Sequence, residues 1–185
     1  MGLNRVSERL HRWATGWMAL GATAVFVLFV AFVLPRMTGG GDTAVPIPDV
    51  MFTYSAGTLY QIADALGEAG RSEYIRARFT FDVVWPVVYT SFLVMATSWL
   101  TTFAFPATSL WQKANLLPLA AVLFDLLENL AASLVMARYP AKTAVIAELA
   151  GLFTLVKWVL VGAAFVVLVG TAVQALRRKI QSPKS

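Results

Sequence analysis

The chain has no cysteine and only one histidine in 185 residues. Without Cys there can be no thiol nucleophile, disulfide or thiolate metal site. The lone histidine, His11, sits in a basic N-terminal segment ahead of the first apolar run. No apolar span therefore carries a His for acid–base catalysis, haem ligation or a His-rich zinc or di-iron site, and no metal or cofactor is expected. Charge is scarce too. Charged residues make up 14% of the sequence and hydrophobic ones 58%, whereas a soluble domain is about 25% charged. With a mean hydropathy of +0.69, this is the composition of a membrane protein. The net charge of +5 would also suit a nucleic-acid binder. Basic residues flanking membrane spans account for it better, so no nucleic-acid partner is expected.

Four apolar runs reach or approach the ~20 residues needed to cross ~30 Å of hydrocarbon. They cover roughly 13–34, 79–102, 116–137 and 143–176. The first ends at Pro35, and its apolar part is too long for an ordinary signal peptide, so it reads as a retained helix. The fourth is longer than one crossing needs and should tilt or project. The predicted fold is all-α: a polytopic integral membrane protein, residues 1–185 forming a single domain with four transmembrane helices in a bundle.

Orientation follows from Lys and Arg near the span ends. Arg5, Arg9, Arg12, Lys113, Arg177, Arg178, Lys179 and Lys184 fall on one side; Arg36, Arg71, Arg76, Arg78, Arg138 and Lys142 fall on the other. The bias is modest, and much of the second set is offset by Asp42, Asp49, Asp64, Glu68 and Glu73. The basic clusters at both termini predict that both are cytoplasmic, in the cell inner (plasma) membrane. Trp13, Trp17, Trp99 and Trp111 then lie near the cytoplasmic interface, as an aromatic belt would.

The segment 35–78 becomes the one long outside loop. It opens on the flexible stretch TGGGDTAVPIPD and continues as a short amphipathic helix near 55–69. Leu59, Ile62 and Leu66 form its apolar stripe, Gly70 is the expected stop, and Ser72 the expected cap of the helix leading into span two.

The informative residues are those a membrane helix should avoid. A charge at mid-bilayer costs ~3 kcal/mol, so those that persist face a protein interior and find partners. Span two carries Asp82, Trp85, Pro86 and Tyr89 on one face. Pro86 has no N–H for the carbonyl of Asp82, which leaves a free acceptor at a kink. A plain Arg78–Asp82 pair at i, i+4 is the simpler reading of the same residues. Span three carries Asp125, Glu128 and Asn129 on one face. Two carboxylates one turn apart in low dielectric do not both ionise easily, which suits a proton carrier or a general acid. A purely structural network is the alternative. Span four carries Lys157, with Thr154 on the same face. Asp125 is its expected partner by depth, leaving Glu128 and Asn129 free near Asp82. Gly16, Gly21, Gly162, Ala163 and Gly170 permit close helix contact and read as packing.

Three stretches, GRSEYIRARFTFDVVWPVVY, PLAAVLFDLLEN and FTLVKW, resemble those of small four-helix bacterial membrane proteins with no assigned activity. The layout is also loosely similar to the emopamil-binding (EXPERA) group, with Asp82 and Pro86 as the point of contact. That resemblance implies four or more helices, an intramembrane acidic pocket and sterol-like amphiphilic ligands. The histidine of the group's isomerases is missing from every span here, which speaks against isomerase activity.

Together these features predict a small integral membrane protein with an intramembrane carboxylate/Lys cluster. Asp82, Trp85, Tyr89, Asp125, Glu128, Asn129 and Lys157 would bind or transport an amphiphilic or cationic small molecule, or protons. Two alternatives stay open: a structural or accessory membrane subunit, and an intramembrane acid/base enzyme acting on a lipid or isoprenoid. The expected partners are the lipid bilayer and an amphiphilic or lipid ligand, and a homo-oligomer is compatible with the sequence.

Overall fold

Apolar runs with no polar face leave the backbone one way to satisfy its own N–H and C=O groups in hydrocarbon, and that is the helix. The computed structural model describes residues 2–38, 48 and 51–181. Over them the fold is all-helical, with four helices long and apolar enough to cross a membrane.

The chain opens with α1 (Leu3–Trp13), a helix formed by the basic N-terminal segment. Thr15 then caps α2 (Gly16–Leu28), its hydroxyl accepting from the Met18 N–H at 3.3 Å. A π-helical turn (Phe29–Val33) follows, in which the Leu34 N–H reaches back five residues to the Phe29 carbonyl. Helix α3 (Leu34–Thr38) resumes beyond it. Pro35 was expected to end this span, and instead the helix runs through it. Pro35 falls in the first turn of α3, where a missing N–H is tolerated. The expected TGGGDTAVPIPD stretch lies, apart from Thr38 and Pro48, outside the described residues.

Helix α4 (Ala56–Arg78) starts at Ser55, whose hydroxyl accepts from the Thr58 N–H at 3.1 Å. It breaks once, at Gly67, with φ 62° and ψ −176°. The stop expected at Gly70 and the cap expected at Ser72 are both corrected: each is helical, and the chain bends three residues earlier. Gly67 directly follows Leu66, the last residue of the apolar stripe, and takes the left-handed φ that glycine adopts without a Cβ clash. A second break at Phe79–Thr80 separates α4 from α5 (Phe81–Ala104), which carries Pro86 inside it. A 3₁₀ segment (Leu110–Leu116) leads into α6 (Leu117–Arg138). Helix α7 (Ala144–Gln181) has 38 residues, about 57 Å at 1.5 Å each. That is nearly twice a hydrocarbon core, as the length of the run implied.

The chain folds as two compact units. The first comprises Met1–Thr38, Val88–Ala120 and Leu160–Ser185; the second comprises Gly39–Val87 and Ala121–Val159. In the first, Phe26 stacks on Phe92 at 4.4 Å, and Phe165 lies 6.3 Å from both rings. A polar knot ties α1 down. The Ser7 hydroxyl donates to Asn115 Oδ1 at 2.8 Å, Asn115 Nδ2 donates to the Ser98 hydroxyl at 2.9 Å, and the His11 ring nitrogens meet the Ser98 and Gln112 carbonyls at 3.0 and 2.8 Å.

In the second unit the stripe of α4 is buried: Leu59, Ile62 and Ala63 pack with Val135 and Met136 of α6 and Ala147 and Ala150 of α7. The α4 helix is therefore held by its apolar face. Gly151 of α7 is required where the chain enters α4, since a Cβ there would overlap the Tyr54 carbonyl oxygen.

Candidate functional site

Five charged side chains converge in the second unit. Lys157 is 4% exposed. Its Nζ lies 2.5 Å from Glu128 Oε2 and 3.5 Å from Asp125 Oδ1. The expected Lys157–Asp125 pair is present, but Glu128 is the nearer partner, so Glu128 is not left free as the depth argument had it. The reason is helical geometry. Asp125 and Glu128 are three residues apart, so one ammonium can sit against both.

A second pair forms at the junction of α4 and α5. Arg78, in the last turn of α4, meets Asp82, in the first turn of α5, at 3.2 Å. A cation at a helix C-terminus and an anion at a helix N-terminus are each favoured by the dipole. Arg78 is 2% exposed and lies over the Tyr74 ring at 4.5 Å. The simpler reading of Asp82 thus has its ion pair, and the arginine in it is buried within the protein.

Asn129 of α6 braces the Arg78–Asp82 pair. Its Oδ1 accepts from Arg78 Nη1 at 3.2 Å, and its Nδ2 donates to the backbone carbonyl of Asp82 at 3.0 Å. That carbonyl is the one Pro86 cannot serve. The proline of α5 and the asparagine of α6 are therefore one device: the first frees an acceptor and the second satisfies it.

Tyr54, just ahead of α4, closes the cluster. Its hydroxyl donates to Glu128 Oε1 at 3.4 Å and also meets the Thr154 side chain. Burial pushes the Tyr54 phenol far above the ordinary tyrosine range, and the Glu128 charge pushes it further. Tyr54 therefore stays a donor at any physiological pH.

Of the residues singled out in the sequence, Asp82, Asp125, Glu128, Asn129 and Lys157 come together. Trp85 is half-buried in the same unit, and Tyr89 is buried in the first unit. Sequence reasoning missed Tyr54 and the central place of Arg78. For Arg78 the signal was its i, i+4 spacing to Asp82; for Tyr54, which reaches Glu128 across 74 positions, there was none. It also missed the knot on α1, for which Ser7 and His11 at i, i+4 were the cue. Among the described residues no group of three or more His, Asp or Glu is arranged to hold a metal.

No protein family, curated protein or solved structure matches this chain. Any function must be read from the cluster itself.

Proposed function

We propose that the chain is a four-span integral membrane protein with both termini cytoplasmic. Its buried cluster is a centre that binds one proton or one small organic cation, in the service of binding or transport. Membrane insertion is supported by the surface. Large apolar side chains stand exposed along α2, α5 and α7, among them Trp17 at 84% and Val166 at 73%. Such a surface suits hydrocarbon and not water.

The observation that carries the site is a count. Three carboxylates (Asp82, Asp125, Glu128) face two cations (Arg78, Lys157) in a buried cluster. Among the described residues of the cluster the carboxylates outnumber the cations by one, and carboxylates gathered in a buried site favour taking up a further positive charge. A proton or an amine would be that positive charge. Asp82 is the place for it to arrive, since its side chain is 15% exposed while Glu128 is sealed.

The experiment is an infrared pH titration of the purified protein, reading the carboxyl C=O band. One carboxyl of the cluster should gain and lose a proton reversibly, or be displaced from doing so by an organic amine. The band should vanish in Asp82→Asn or Glu128→Gln. If no carboxyl in the cluster titrates between pH 4 and 9 and no amine binds, the centre does not exist.

One observation favours a second reading, that of a structural or accessory subunit. All five charges already have partners within the protein, and such a network can do no more than set helix register. On that reading every neutralising substitution lowers stability and changes nothing else.

A further inference from the structure

The first unit carries two cavities that the cluster does not touch. One is an apolar groove of about 670 Å³ between α2 and α5, walled by Gly16, Leu20, Thr23, Phe92, Ala96 and Trp99. The other is a polar cleft of about 600 Å³ that runs from α1 to the 3₁₀ segment and has Arg12 and Lys113 on its walls. Both fall within the ~300–1,000 Å³ of ordinary ligand sites.

We propose that these two cavities form one site for an anionic lipid. The phosphate sits between Arg12 and Lys113, and an acyl chain lies along the groove. The proposal rests on the membrane reading above and not on the ion cluster.

The register of the lining carries it. Along α1 and α2 the cleft takes positions 4 to 12 and the groove positions 16 to 23. Along α5 and the residue after it the order is reversed: the groove takes 92 to 100 and the cleft 102 to 105. The two strips run antiparallel, so cleft faces cleft and groove faces groove. Gly16 against the Trp99 indole, where a Cβ would sit 3.4 Å from Nε1, fixes the point at which one becomes the other. The result is a polar end and an apolar end in line, the shape of an amphiphile.

Charge chooses the sign of the head. Arg12 and Lys113 are exposed, and among the described residues they form no ion pair. The Glu8 carboxylate also lines the cleft, leaving it formally +1, and Arg5 and Arg9 stand exposed on the same helix. Basic residues at a cytoplasmic surface draw anionic headgroups. Trp17 and Leu20, 84% and 59% exposed at the groove, leave it open along its length for a chain to enter sideways from a bilayer.

The test is native mass spectrometry of the full chain in detergent micelles, titrated with dioleoyl phosphatidylglycerol, with dioleoyl phosphatidylcholine, or with inorganic phosphate. One phosphatidylglycerol should be retained about tenfold more tightly than phosphatidylcholine, the combined pull of two cations partly offset by Glu8. Arg12→Gln with Lys113→Gln, both surface changes, should abolish the preference. Leu20→Trp, which fills the groove from its exposed edge, should weaken retention of both lipids. Equal retention of the two lipids means ordinary annular lipid only and overturns the proposal. So does a preference that survives the double substitution. Displacement by millimolar phosphate would make the cleft a free-anion site and also overturn it. Glu128→Gln should leave lipid retention unchanged, so failure of the ion-cluster reading shows separately. Release of the chain from membranes by alkaline carbonate would instead remove the membrane reading.

Discussion

Replacing Lys157 with Met is the sharpest probe of the cluster. Met matches the length of the lysine stem and removes only the charge and its donors. In its place two buried carboxylates would face each other with no cation between them. Breaking a buried pair in this way typically costs ~3–5 kcal/mol, a large part of the stability of a protein this size. The geometry also ranks the partners. Coulomb attraction falls as 1/r, so the 2.5 Å contact to Glu128 should outweigh the 3.5 Å contact to Asp125 by roughly 1.4-fold at equal dielectric. Double-mutant cycles read this directly. Lys157→Met combined with Glu128→Gln should show a coupling of about 2 kcal/mol, and combined with Asp125→Asn about 1.4 kcal/mol, within the range for residues in one network. The assay is reversible unfolding of the reconstituted protein in mixed micelles, followed by far-UV circular dichroism. If Asp125→Asn couples more strongly than Glu128→Gln, the ammonium sits elsewhere. If neither couples, Lys157 is not neutralised by α6, and the charge count behind the proposed function fails with it.

Two further outcomes follow from the backbone. Asn129→Leu should destabilise by about 1–3 kcal/mol by stranding the Asp82 carbonyl and an Arg78 donor; adding Pro86→Ala restores the missing N–H, so the double variant should be more stable than Asn129→Leu alone in the same unfolding assay. Gly151→Ala should destabilise by about 1–3 kcal/mol through overlap with the Tyr54 carbonyl, whereas Gly162→Ala, with open space around it, should stay within about 0.5 kcal/mol of the parent.

The helices were legible in the sequence because their signal is length and composition. The expected 79–102 and 116–137 are observed as 81–104 and 117–138. Breaks were less legible. A helix stop depends on which glycine the packing needs, and burial of Leu59 and Ile62 in the second unit put the bend at Gly67 rather than Gly70. The α1 helix was missed because its 11 residues are mostly polar, and what holds it is a set of hydrogen bonds to residues about a hundred positions away. The polar face of α6 could be read from i, i+3 and i+4 spacing. Which carboxylate Lys157 would choose could not. Depth along a span is known only to about a turn from sequence, and one turn is the whole separation of Asp125 from Glu128.

The surplus carboxylate bears on why the cluster exists. Fixing the register of α5, α6 and α7 needs only neutral pairs, and Lys157 with Glu128 and Arg78 with Asp82 would provide two. Asp125 adds a charge that such a scaffold does not need, and at 7% side-chain exposure it adds it where desolvation is expensive. Placing it one helical turn from Glu128 makes the ammonium of Lys157 a shared counter-ion. On the proposed function, that shared counter-ion is what lets the cluster take up one further positive charge.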